Sequence, residues 1–188
     1  IGVSGTNGTR DPAAIREIHD AMGRLNTAVL DGLHAASVAA LPVRPLSVAR
    51  RDAEGDLTLS TAAVSGMLDE GFVPVLHGDV VLHDGTGATI LSGDELVVAL
   101  ARRLDADRVG VCSTVPGVLD DDGAVISEIE SWTEAADVLG ESDATDVTGG
   151  MAAKIRALLE LDASASVFGL DDLDAFLDGV DVGTVVRG

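Results

Sequence analysis

One lysine stands in this chain, Lys154, beside eleven arginines. It follows a glycine pair, Gly149 and Gly150, in the segment DVTGGMAAKIRALLE. Glycines let main-chain N–H groups approach an anion, a helix start adds positive potential, and an ammonium four residues on adds a mobile point charge. Together these can hold a phosphoryl group. The spacing is not that of the GxxxxGK[ST] loop. A plain surface lysine is the alternative, weakened because the rest of the chain avoids lysine.

Three further segments carry polar groups that could do chemistry. HGDVVLHD supplies His77, Gly78, Asp79, His83 and Asp84. Gly78 and Asp79 read as a tight turn at a strand end with His77 lining a pocket, or simply as a solvated turn. Zinc fits poorly, since the helical HExxH spacing and a nearby thiolate are both absent. In SGDELVVAL, Ser92 or Asp94 could cap a helix; the functional reading has the Asp94 carboxylate orient a cation such as Lys154. STVPGVLDDDG places Ser113 to Gly117 ahead of three aspartates, which are either surface acid or part of a nucleotide-holding loop. The twelve-position calcium pattern is missing there. No cysteine–histidine pair or G-x-S-x-G elbow appears. Phosphoryl transfer needs neither, because it rests on positioning and charge neutralisation. Magnesium would arrive with the nucleotide, so no protein metal site is expected.

The elements that would position these groups alternate. Thr9 or Asp11 caps a long helix with Pro12 at its first position, and Ile15, Ile18, Met22, Leu25, Val29 and Leu33 form its apolar stripe, with a break possible at Gly23 or Gly32. LPVRPLSV reads as a short strand, LTLSTAAVSGMLDEG as a strand tip and helix, and FVPVL (72–76) as a buried strand. Val80–Leu82 and DGTG follow as a strand and hairpin turn. Residues 94–104 form a helix, DRVGVCS a strand with Cys112 buried in it, and WTEAADVLG and GGMAAKIRALLEL two helices. ASASVFGL, DDLDAFLDG and GTVVRG close the chain as strand, helix and strand. This order predicts an α/β protein with a mostly parallel, helix-covered sheet, its functional loops at the carboxyl ends of strands.

Composition sets the surroundings. The chain has 188 residues, 46% hydrophobic, with a formal charge of −20 from 32 acidic and 12 basic side chains. Acid spread over a well-stocked core reads as a folded protein with an acidic surface. Such a surface repels nucleic acid and anionic membrane. Lysine avoidance with arginine retained suggests adaptation to high salt. One cysteine forms no internal disulfide, and no secretory or membrane segment is evident, so a cytoplasmic location is the default.

GTNGTRD (5–11), AMGRLNTAVLDGL (21–33), PVLHGDVVLHDGTGATILSGDELVVALARRLDADRVG (74–110) and VTGGMAAKIRALLEL (147–161), taken in order, resemble the amino acid kinase superfamily and within it the archaeal isopentenyl phosphate kinases. The resemblance implies a three-layer αβα sandwich with a mostly parallel central sheet. It implies one kinase-like domain over 1–188, its substrate side about 1–92 and its nucleotide side about 93–188. Lys154 would contact the transferring phosphate of ATP with Gly149 and Gly150 beside it, and Asp94 would organise the catalytic lysines. His77, Gly78, Asp79 and Gly93 would face the phosphorylated substrate, and Ser113, Thr114 and Gly117 the nucleotide. Thr114 stands where many members have aspartate. The implied reaction converts isopentenyl phosphate and ATP, with Mg2+, to isopentenyl diphosphate and ADP, in a homodimer. Met22, Leu25 and Val29 would line the prenyl cavity or pack in the core. Family members also open with a KxGGS loop and a GGGSFGH segment that this sequence does not contain. The expectation is therefore an incomplete, poorly active form with half of an active site.

Overall fold

Asp11 and Pro12 start the first helix as their chemistry predicts: the Asp11 carboxylate accepts from Ala13 N at 2.9 Å and Pro12 takes the first position of α1 (Pro12–Ala35). This computed structural model describes residues 2–139 and 150–188, the side chains of 137–139 excepted. The helix runs 24 residues without a break. Its buried residues are Gly23, Asn26 and Leu30, whereas Leu25 and Val29 are 56% and 45% exposed. The apolar stripe expected from spacing is therefore turned outward in part, with Leu25 and Val29 on the exposed face. The inner face is small and polar because of what it meets. Asn26 Nδ2 donates to Val75 O at 3.2 Å. A Cβ on Gly23 would overlap the Arg44 guanidinium.

The chain divides between Leu96 and Val97 into two compact units. In the first, LPVRPLSV is not one strand. It splits into β1 (Ala40–Pro42), a short helix α2 (Pro45–Val48) and β2 (Ala49–Arg51), since Pro45 has the φ of a helix start and no N–H to give a ladder. After β3 (Leu57–Leu59), α3 (Ala62–Asp69) and β4 (Val73–Val75), β5 (Asp79–His83) and β6 (Gly87–Leu91) form the expected hairpin. β4 pairs parallel with β1, and a second sheet runs β3-β2-β5-β6. Val80 and Val81 of β5 and Ala88 and Leu91 of β6 are fully buried. Helix α4 (Gly93–Leu104) follows.

The second unit holds β7 (Arg108–Ser113), β8 (Glu128–Ile129), α5 (Trp132–Leu139), α6 (Gly150–Leu159), β9 (Ser164–Gly169), a 3₁₀ turn (Leu170–Asp172), α7 (Leu173–Leu177) and β10 (Thr184–Val186). The strand order is β7-β9-β10-β8, with β7 parallel to β9 and β10 antiparallel to it. Its core packs Val109, Val111, Ile129, Ile155, Leu158, Ala165, Val167 and Val186. Cys112, expected to be buried, is exposed. The two-residue period of β7 explains this: Val109 and Val111 face the core, and Gly110 and Cys112 face the other way. Phe176 of α7 seats on bare Gly110, stacks on Phe168 at 4.9 Å, and lies 4.6 Å under the Arg108 guanidinium. This anchors the segment that follows β9.

The fold is α/β, with mixed sheets and helices. Among the described residues the strands form three separate sheets, and β2–β3, β5–β6 and β9–β10 are antiparallel, so parallel pairing leads by less than the sequence suggested.

Candidate functional site

In the second unit, a cavity of about 870 Å³ opens where β7 and β9 end. Parallel strands put both carboxyl ends on one edge, where loops leave room for a ligand. Its lining includes Ser113, Thr114 and Pro116 after β7, Asp171 and Asp172 after β9, and Lys154 from α6. Lys154 lies one turn into α6, whose first residue, Gly150, has φ +61°. That left-handed backbone suits glycine and lets the chain turn sharply into the helix. The volume is in the range of about 300–1,000 Å³ that suits a nucleotide-sized ligand.

Three of the six predicted nucleotide-side residues therefore come together: Ser113, Thr114 and Lys154 share this cavity, and Gly150 heads the helix that presents the lysine. Gly117 does not line it. It is buried beneath β10, where an added Cβ would come 2.7 Å from Val125 Cγ1 and 2.8 Å from Thr184 Oγ1. Its role is close packing that holds the preceding loop. Asp120 caps its own turn by accepting from Asp122 N and Ala124 N, so the three-aspartate loop folds on itself. Gly149 lies outside the described residues.

In the first unit, the register of β5 against β6 pairs Asp79 with Leu91, and this sets Gly78 against the turn that starts α4. An added Cβ on Gly78 would stand 3.2 Å from Leu91 O and 3.3 Å from Gly93 N. His77, Gly78, Asp79 and Gly93 are thereby gathered at one strand end. The turn is stiffened from beneath. Ser92 Oγ accepts from Glu95 N at 3.1 Å while Glu95 Oε2 accepts from Ser92 N at 3.2 Å, a reciprocal cap. Glu95 also takes a 2.7 Å ion pair from buried Arg51, whose other nitrogen donates to Gly55 O. Ser92 rather than Asp94 is thus the cap. Asp94 sits half-buried in the first turn of α4, where the helix potential favours its negative charge.

His77 is 8% exposed, and its Nδ1–H donates to Gly78 O at 2.9 Å. Its Nε2 has no partner among the described residues. Asp79 differs from the expectation of a carboxylate facing substrate. Its side chain is fully buried and turned inward, accepting from Val80 N at 2.8 Å, Leu46 N at 3.4 Å and His19 Nδ1 at 2.8 Å. A buried carboxylate needs such donors, because desolvating it alone is prohibitive.

Sequence reasoning missed His19, Asp171 and Asp172. His19 stands 60 residues from Asp79 in an ordinary helical pattern, with no local signal of the pairing. Asp171 and Asp172 looked like more of the general acid. Only the position of ASASVFGL as a parallel strand, and so of the turn after it, could have marked them.

A family model described as "Amino acid kinase family" matches residues 3–165. The chain is 64% identical to isopentenyl phosphate kinase from Haloferax volcanii over 187 residues, covering all of this chain and 75% of that protein. It is 35% identical to isopentenyl phosphate kinase from Methanocaldococcus jannaschii over 81% of this chain and 58% of the relative. Among solved structures, one titled "X-ray structures of isopentenyl phosphate kinase" superposes with a TM-score of 0.71 at 26% identity, over 87% of this chain and 65% of that one. The chain thus spans 58% to 75% of the length of these relatives.

Proposed function

This chain belongs to the amino acid kinase family and, within it, to the isopentenyl phosphate kinases, and from that premise we propose that the protein transfers the γ-phosphoryl group of ATP to isopentenyl phosphate. One observation carries the reaction class: the solitary lysine of a strongly acidic chain lines a nucleotide-sized cavity at the carboxyl ends of two parallel strands. The choice of acceptor rests on the names of the relatives.

An oxygen of the acceptor phosphate attacks the γ-phosphorus. A new P–O bond forms, the bond from that phosphorus to the β,γ-bridging oxygen breaks, and ADP leaves with the electron pair. The attacking oxygen is already anionic, so no protein base is required. In this reading the second unit is the nucleotide side. Lys154 neutralises charge on the transferring group, and the main chain at Ser113 to Pro116 borders the nucleotide. Magnesium would come bound to ATP and offset its phosphate charge, and Asp171 and Asp172 are the cavity carboxylates that could hold it. The first unit is the acceptor side, with His77, Gly78 and Gly93 around the phosphate and Asp94 a further catalytic residue. The exposed Leu25 and Val29 support a homodimer docked through α1. Among the described residues no helix is long and apolar enough to cross a membrane.

Coupled measurement of ADP release in molar KCl tests the reading, with isopentenyl phosphate, N-acetylglutamate and UMP offered in parallel. Turnover confined to isopentenyl phosphate, however slow, is expected. Turnover with either of the others and none with the prenyl phosphate refutes the acceptor.

A further inference from the structure

We infer that His19 is a direct contact for the phosphate of the acceptor, held in place by buried Asp79. The inference rests on the reading of the His77–Asp79 turn as the acceptor side. Its geometry is independent of the relatives.

The imidazole of His19 turns its Nδ1 edge to the Asp79 carboxylate, at 2.8 and 3.0 Å from the two oxygens. Asp79 is completely buried, while the His19 side chain is 24% exposed. The two ring nitrogens point away from each other on either side of Cε1, so with Nδ1 on buried Asp79 the nitrogen left for an outside partner is Nε2. No partner for Nε2 occurs among the described residues. A carboxylate at Nδ1 fixes which nitrogen faces out. With hydrogen on both nitrogens in the complex, Nδ1–H donates inward to Asp79 and Nε2–H outward to the phosphate.

Position strengthens the case. Asp79 follows Gly78, which abuts Gly93, and it follows His77, whose buried Nε2 also lacks a partner. A simple tie between α1 and β5 would not need a titratable, half-open ring. An amide would serve, as Asn26 does two turns along the same helix face when it bonds Val75 O. The surroundings also hold cations for a phosphate: the Arg44 guanidinium lies against Gly23, one turn along α1 from His19, while Arg16 is engaged by Asp20 at 3.2 Å. A phosphate monoester approaching this strand end meets the donor edge of His19. Asp79 acts through the imidazole and is a positioning residue.

The test separates contact from tie. His19→Asn keeps a donor nitrogen close to the Nδ1 position and removes Nε2. In the full chain, KM for isopentenyl phosphate is expected to rise about ten- to a hundredfold, the loss of one hydrogen bond to a charged group. The KM for ATP and the unfolding temperature should hold. An unchanged KM for the acceptor overturns the inference, because a tie alone survives in this variant. Should His19→Asn fail to fold, the wild-type protein decides. Its four histidines give four Cε1–H resonances, and that of His19 must shift as methyl phosphate is added; a still signal overturns the contact. Should the wild type not phosphorylate isopentenyl phosphate at all, the functional reading has failed, and the methyl phosphate titration still decides the role of His19.

Discussion

Replacing Lys154 with methionine should lower kcat/KM about a hundredfold while leaving the fold intact. Methionine keeps the length of the side chain and is nearly as good a helix former as lysine, so α6 should hold. The magnitude follows from the charges around the cavity. Lys154 is the one cationic side chain lining it among the described residues, and Asp171 and Asp172 line it too. The substitution leaves two negative charges facing a polyanionic nucleotide. A unit charge about 4 Å from a phosphoryl oxygen is worth up to about 4 kcal/mol at an effective dielectric of about 20. Water and the nucleotide's own metal replace part of that, which leaves about 3 kcal/mol, or about a hundredfold in rate. Loss of a single oxyanion donor in other enzymes falls in the same range, about a hundred- to a thousandfold. Steady-state ADP release at varied ATP, with thermal unfolding as the control, measures this. A Lys154→Met protein that unfolds like the wild type and keeps kcat/KM within about threefold refutes the role, since that change is under 1 kcal/mol.

Three further outcomes are expected. Gly78→Ala should raise KM for the acceptor severalfold and spare that for ATP, because the new methyl presses on Leu91 O and Gly93 N and shifts the turn by a few tenths of an ångström; equal effects on both substrates would contradict it. Gly183→Ala should cost at least about 2 kcal/mol, seen as a fall of roughly 4–8 °C in unfolding temperature, since Gly183 has φ +59° and its Cβ would overlap Val167 O and reach within 2.8 Å of Pro116 O. Raising KCl from about 0.1 M to about 2 M should raise the unfolding temperature, because screening relieves the self-repulsion of a chain at −20; a fall would refute the high-salt reading of the composition.

The fold was largely legible in local chemistry. Asp11–Pro12 marked the start of α1, DGTG the β5–β6 turn, and the alternating apolar runs the strands. Where spacing misled, long-range packing decided. Leu25 and Val29 had the right period for a buried stripe, but the face that packs inward carries Gly23 and Asn26, because an arginine and a strand-end carbonyl must fit there. Cys112 sat in an apolar run, yet the pleat of β7 turned it out. The nucleotide-side loop could be read from its place after a strand. The His19–Asp79 pair could not, because neither residue carries a local mark of a partner 60 positions away.

The scarcity of lysine and the uses of arginine have one physical explanation. Arg51 spans Gly55 O, Ile90 O and Glu95, and Arg108 spans Phe176 O, Val180 O and Asp181. These are tasks for a rigid fork that satisfies several acceptors at once. A transferring phosphoryl group poses a different problem, since its charge moves between donor and acceptor oxygens during the reaction. A compact ammonium on a flexible stem can follow it, and a guanidinium locked to a planar pair of acceptors cannot. Selection against lysine on the surface in high salt would therefore spare this position and few others. On that argument Lys154→Arg keeps the charge yet loses the mobility, and its kcat should fall between those of wild type and Lys154→Met, while a variant as fast as wild type would mean that charge alone is what position 154 supplies.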